Sequence, residues 1–377
     1  MSRFWNGVAV EVIRLISRMK LRVIKLLDDP NRVSSVDIFR AIAIISVVIF
    51  HFESFLPLGF IGVDLFFVIS GLLIGNLLTQ QFIAGQKINF FKFFLQRGLK
   101  IWPSYYFFFF VGSILALLLY RDTNPDQIIP LSEMKSYLLF YRNYSAVPFH
   151  FSFDHVWSLC VEEHFYILLP LLFVFIQTLF TNRGKKMLIL SVGAAIFLGI
   201  AFKYISLYYT NGKDTYSATH NRIDALAWGV LLNFLLSFRG EWLQKQKSLY
   251  LISVVGGVLF FFIIYLKVVW PNVLFNKIWF HSILPFTFAL LILGVYYVNF
   301  SRLKTLRVIA YFSYNWYLWH PIFAIFFSRL IGNNVIGLIL YVLFTFVVAV
   351  VATVLIEEPM LRYRSKLLKK LFRAKET

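Results

Sequence analysis

Apolar residues recur in runs of about twenty, divided by short polar connections, from residue 37 to residue 356. The pattern predicts ten membrane-crossing helices over 37–54, 60–80, 99–120, 157–180, 187–208, 222–238, 249–270, 279–298, 308–328 and 333–356. The expected fold is all-α: one polytopic membrane domain over 35–358, a basic segment before it over 1–34, and a basic tail over 359–377. The longest connection, about residues 121 to 156, is too short for a catalytic domain of its own. In the first segment Arg14, Arg18, Arg22 and Lys25 recur at helical spacing with Val12, Ile16, Met19, Val23 and Leu27 between them. That pattern predicts an amphipathic helix on the cytoplasmic surface, anchoring topology. It is not a removable signal, because the apolar stretch after it holds Arg40, ends near His51 and has no small-residue cleavage pattern.

Composition agrees with the pattern. Of 377 residues 59% are hydrophobic and 15% charged, against about 25% charged in an ordinary soluble domain, which excludes soluble and disordered classes. The net charge of +19 would suggest nucleic acid for a soluble chain, but in a membrane protein it reflects basic cytoplasmic loops, so no nucleic-acid partner is expected. With both termini on one side, that side collects 27 of the 37 Lys and Arg and the other side nine, with Arg40 inside the first span as the remaining one. Both termini are therefore expected in the cytoplasm, the protein being a multi-pass component of the cytoplasmic (inner) membrane. The single cysteine, Cys160, has no disulfide partner, and His150, His155 and His164 lack a zinc spacing, so no metal is assigned.

Charges within spans are costly, at least about 2.5 kcal/mol each, and face a cavity or a partner. By this topology they form two groups. Arg40, Arg97, Lys100, Glu357, Glu358 and Arg362 lie near the cytoplasmic side; His51, Asp64, Trp157, Glu162, Glu163, His164, His220, Arg222 and Asp224 lie near the outer side. Arg40 and His51 are eleven residues apart, about three helical turns, so they share a face of the first span and differ by roughly 16 Å in depth. An imidazole there suits a general base toward a hydroxyl. Asp64, inside GFIGVDLFFVISG, needs a partner, for which His51 and Arg222 are candidates. In QRGLKIWPSYY, Arg97 and Lys100 with Arg40 could hold the phosphates of a nucleotide-containing donor, and Trp102 and Tyr105 could stack on its base. The run DHVWSLCVEEHFYILLP carries Glu162 and Glu163, which point about 100° apart on a helix. Arg222 and Asp224, two residues apart in THNRIDALAWG, each need a partner on another span. His320 in SYNWYLWHP is either a structural or a ligand-binding histidine, and Glu357 and Glu358 in IEEP would brace the basic entrance.

These segments, in this order over ten spans, resemble the acyltransferase 3 family of polytopic membrane acyltransferases, which decorate bacterial cell-surface sugars and other hydroxyl compounds. The resemblance rests on DIFRAIAIISVVIFH, GFIGVDLFFVISG, RGLKIWPSYY, VWSLCVEEHFY, THNRIDALAWG, SYNWYLWHP and IEEP, and covers nearly the whole chain. It implies an acyl-CoA donor, usually acetyl-CoA, with Arg40 and His51 as the essential pair and Arg97 among the donor-binding residues. Lys100 stands where the family often has a second arginine, and Cys160 and His164 where serine and glutamine are common. Some members carry an additional extracellular esterase-like domain; this chain is expected to work alone or with a separate partner.

The expected function is transfer of an acyl group from cytoplasmic acyl-CoA to a hydroxyl of a cell-surface glycan or lipid-linked sugar, with membrane lipids around the chain. The donor would reach up a polar cavity to His51, oriented by Glu163 or Asp64, with Trp157, Glu162, His220, Arg222 and Asp224 toward the acceptor. An acyl-histidine intermediate stays open. The rival class is a secondary transporter or an exporter of lipid-linked sugar without acyl transfer, and the third is a non-catalytic membrane scaffold.

Overall fold

A computed structural model describes residues 23, 27, 29, 32–53, 55–145, 150–180, 182–209 and 216–373. The amphipathic helix expected within residues 1–34 falls almost wholly outside them. Among the described residues there is no strand. Each predicted span meets a long helix: α1 Ser34–His51, α2 Ile61–Ile83, α3 Phe90–Tyr120, α4 Trp157–Leu179, α5 Gly184–Tyr209, α6 Ile223–Gln244, α7 Tyr250–Val269, α8 Phe280–Val295, α9 Lys304–Ile331 and α10 Val335–Ala352. Among the described residues, nine helices are long and apolar enough to cross a membrane; the exception is α9. Its 28 residues suffice in length, and its polar side chains turn inward, with Asn315 and His320 fully buried.

Two boundaries matter for the chemistry. The expected third span begins at 99, but α3 begins at Phe90 because Asn89 caps it, its side-chain oxygen accepting the Lys92 N–H at 2.9 Å. Arg97 and Lys100 thus sit on the helix, in its first three turns, instead of in a connection before it. Beyond α10 a π-helical turn, Thr353–Glu357, leads into α11, Glu358–Arg373. Its Arg364 Nη1 donates to the Gln96 carbonyl at 3.2 Å, tying the start of the expected tail to α3.

Helices α2 and α6 pack closely against each other. Lipid is as apolar as leucine, so helices in a membrane associate by close packing, and small residues permit it. A Cβ on Gly71 would stand 2.0 Å from the Leu226 carbonyl oxygen, and one on Gly229 would stand 2.0 Å from that of Val68. Both obstacles are backbone and cannot give way. Gly229→Ala is expected to destabilise the protein by about 1–3 kcal/mol, read as a lowered thermal midpoint in detergent, while alanine at Gly193, whose Cβ would meet open space, leaves it unchanged.

The long connection after α3 is folded down onto the bundle. Tyr105 and Tyr106 donate to the Tyr137 and Leu138 carbonyls at 2.8 and 2.9 Å. Arg142, 1% exposed, lies over the Tyr137 ring, donates from Nε to its hydroxyl at 2.9 Å and reaches Asp154 at 3.5 Å. Burial pushes the Tyr137 hydroxyl well above its usual range, so it remains a neutral acceptor for the guanidinium.

Candidate active site

Five helices meet around a cavity of about 110 Å³, room for several waters. Arg40 enters from α1, Ser70 from α2, Arg97 and Lys100 from α3, Glu162 and Tyr166 from α4, and Tyr314 and Tyr317 from α9. Three cations face one carboxylate, so the cavity favours an anion. Arg40 Nη2 donates to Ser313 Oγ at 3.2 Å, and Arg97 Nε is buried without a hydrogen-bond partner. Glu162 accepts the Tyr166 hydroxyl at 2.6 Å, and that oxygen lies 3.2 Å from Ser70 Oγ. Glu357 and Glu358 do not line the cavity: Glu357 accepts from Asn315 Nδ2 at 2.7 Å and Glu358 from the Tyr311 hydroxyl at 2.9 Å.

Toward the other end of α1, His51 belongs to a group of three imidazoles with His155 and His320, its ring centroid 6.5 and 4.8 Å from theirs. Their hydrogen bonds fix the tautomers. His320 Nδ1 faces the Trp316 carbonyl at 2.9 Å, so it carries hydrogen and Nε2 keeps the lone pair. His51 Nδ1 stands 2.9 Å from the Val47 carbonyl and 3.2 Å from His320 Nε2. With acceptors on both sides it must be the donor, which leaves His51 Nε2 as a basic lone pair. His155 Nε2 donates to the Leu318 carbonyl at 3.1 Å, and its Nδ1 has no partner. The trio is not placed to hold a metal ion.

The cavity does not reach His51, contrary to the expectation of one polar passage. Tyr317 stands between. It lines the cavity, its ring lies 5.2 and 5.8 Å from His155 and His320, and its hydroxyl donates to the His155 carbonyl at 2.7 Å and touches Ser158 Oγ at 2.6 Å. The Phe66 ring lies edge-on to it at 6.1 Å.

The other sequence candidates fall elsewhere. Neither Glu163 nor Asp64 orients His51; the Val47 carbonyl and His320 do. Glu163 accepts the Trp102 indole N–H at 3.1 Å, which turns that ring away from the cavity lining. Tyr105 is fully buried, 4.5 Å from the Phe140 ring, and is not at the cavity either. Asp64 forms a buried ion pair with Arg222, and Asp224 another with Lys203, so the two-residue spacing does split the pair between different helices. Trp157 packs against Phe67 and Tyr216 near the Arg222 guanidinium. His220 is held by Tyr144 at 3.1 Å and Ser206 at 3.3 Å. Sequence reasoning passed over Tyr317 and Lys203; the lone cation in an otherwise apolar run, FKYISL, was the signal for Lys203.

The family profile described as an acyltransferase domain matches residues 33–358. The O-acetyltransferase OatA of Staphylococcus aureus is 28% identical over 348 residues, covering 86% of this chain and 56% of that protein. The peptidoglycan O-acetyltransferase OatA of Listeria monocytogenes is 28% identical over 349 residues, 87% of this chain and 55% of that protein. The chain thus spans about half the length of these curated relatives. No solved structure matches it significantly. Because the matched region runs from the residue before α1 to the first residue of α11 and contains both the cationic cavity and the histidine group, the chain belongs to the acyltransferase 3 family.

Proposed function

We propose that this membrane protein is an O-acetyltransferase that takes the acetyl group of acetyl-CoA from the cytoplasmic side and transfers it to a hydroxyl of a cell-surface glycan or a lipid-linked sugar. The observation that carries the reading is the arrangement on α1: Arg40, with Arg97 and Lys100, at a cationic cavity, and on the same helix His51, a neutral base of fixed tautomer. The donor chemistry fits. Phosphates are anionic, and the buried Arg97 Nε lacks the acceptor that an anion would supply. His51 Nε2 takes the proton of the acceptor hydroxyl as its oxygen bonds to the thioester carbonyl carbon; the carbon–sulfur bond breaks and coenzyme A leaves as the thiolate. The His320 lone pair, accepting the Nδ1–H, holds the ring as it becomes charged. Acyl passage requires the Tyr317 ring to swing from between the cavity and the imidazoles. The relatives bear the names O-acetyltransferase and peptidoglycan O-acetyltransferase, which supports a glycan acceptor.

Vesicles of oriented protein test the reading. Labelled acetyl-CoA on the face bearing Arg97, with a glycan acceptor on the other, should give labelled glycan; movement of sugar without acetyl-CoA consumption would assign a transporter instead. In the same assay Arg97→Ala is expected to raise the KM for acetyl-CoA about tenfold or more with kcat little changed, the loss of one charge-assisted hydrogen-bonding group.

A further inference from the structure

A second cavity, of about 430 Å³, lies apart from the candidate site, between α6 and α8, with α5 at one end. Its walls are apolar. Trp228, Leu231, Leu235 and Phe238 line one face of α6, and Phe286 and Leu290 belong to the facing wall of α8. The charged groups that line it are Lys185, in the first turn of α5, and Arg239, near the end of α6. Both are exposed, neither is ion-paired among the described residues, and Lys185 Nζ rests 4.1 Å over the Phe238 ring, which holds the ammonium at the mouth. Arg183 and Lys186 flank Lys185 in sequence, and the carboxylate nearest to Arg239 in sequence is Glu241.

The dimensions indicate what fits. From Trp228 to Arg239 is eleven residues of helix, roughly 16 Å of rise. One leaflet contributes about half of the roughly 30 Å hydrocarbon thickness. The groove is therefore as long as one acyl chain's layer, with cations where a headgroup phosphate would lie. A Cβ on Gly184, next to Lys185, would touch Phe82 at the end of α2, so this mouth opens at the same end of the bundle as the α2–α3 connection.

We infer that this groove binds one anionic phospholipid, its acyl chain between α6 and α8 and its phosphate between Lys185 and Arg239. Two cations without carboxylate partners select a net negative headgroup over a zwitterionic one, whose own ammonium they repel. The inference does not depend on acyl transfer.

Native mass spectrometry of the purified full chain, released from detergent after incubation with phosphatidylglycerol or phosphatidylcholine, tests it. The wild-type chain is expected to retain phosphatidylglycerol roughly tenfold or more over phosphatidylcholine. The Lys185→Ala/Arg239→Ala double variant should bring the two to near parity. Leu231→Trp, which fills the groove about two helical turns from Arg239, should reduce retention of both. Equal retention of the two lipids by the wild type, undiminished phosphatidylglycerol selectivity in the double variant, or displacement by millimolar inorganic phosphate would each overturn the inference.

Discussion

His51→Ala is expected to lower kcat for acetyl transfer by at least about 100-fold, the usual worth of a positioned general base, with the KM for acetyl-CoA nearly unchanged. The separation follows from geometry. The cations that would hold the donor lie at the cavity, the imidazole lies roughly 16 Å from Arg40 along α1, and His51 does not line that cavity. Truncation therefore removes the base and leaves the anion-holding groups alone. His320 supplies the control. It touches the ring of His51 and not the reacting hydroxyl, so His320→Ala should lower kcat by about tenfold through loss of ring orientation. His320→Asn, whose side-chain oxygen can still accept the Nδ1–H, should recover part of the loss, a rescue that general destabilisation would not give. A His51→Ala protein that is folded and retains more than half the activity would remove the imidazole from the chemistry. Acetyl label trapped on His51 in the absence of acceptor would make it the nucleophile.

The ten helices were legible because each apolar run is about one membrane thickness long and the connections are short. Arg40 and His51 could be set on one face from spacing alone. What spacing does not carry is which side chain from another helix completes a group. His155 comes from the short turn Asp154–Val156 that ends the long connection and His320 from α9, and the two meet His51 because that turn and α1 both pack against α9. The sequence offered Glu163 and Asp64 as orienting carboxylates, but each has a nearer partner: the Trp102 indole for Glu163 and the Arg222 guanidinium for Asp64. The pairing of Asp64 with Arg222 was one of the candidates read from depth. Tyr317 was hidden by its surroundings, one tyrosine among many aromatic residues in α9, and only its position between the cavity and the imidazoles distinguishes it.

Asp64→Ala and Arg222→Ala are each expected to cost about 3–5 kcal/mol, because each strips a fully buried charge of its counter-ion. Around Arg222 the other groups are rings: Tyr216 at 4.8 Å, Phe67 at 5.5 Å and Trp157 at 5.9 Å, which attract the cation far less than a carboxylate does. Around Asp64 the second oxygen has only His281 Nδ1, at 3.9 Å, too far for a hydrogen bond. The neighbouring Lys203–Asp224 pair does not replace either charge, since Lys203 Nζ is already occupied by Asp224 and Ser282 Oγ. Both single variants should therefore show lowered thermal midpoints and reduced folded yield in detergent. Asp64→Leu/Arg222→Met, which removes both charges and keeps the volume, should restore most of the lost stability, because a buried pair gains little over a well-packed apolar one. The double variant also separates packing from binding. If it folds with normal stability and transfers acetyl at the normal rate, the pair serves only to join α2 to the start of α6. If it folds but the KM for the glycan rises, the Arg222 side of the pair belongs to the acceptor site. Single variants as stable as the wild type would mean that the two charges are reached by water.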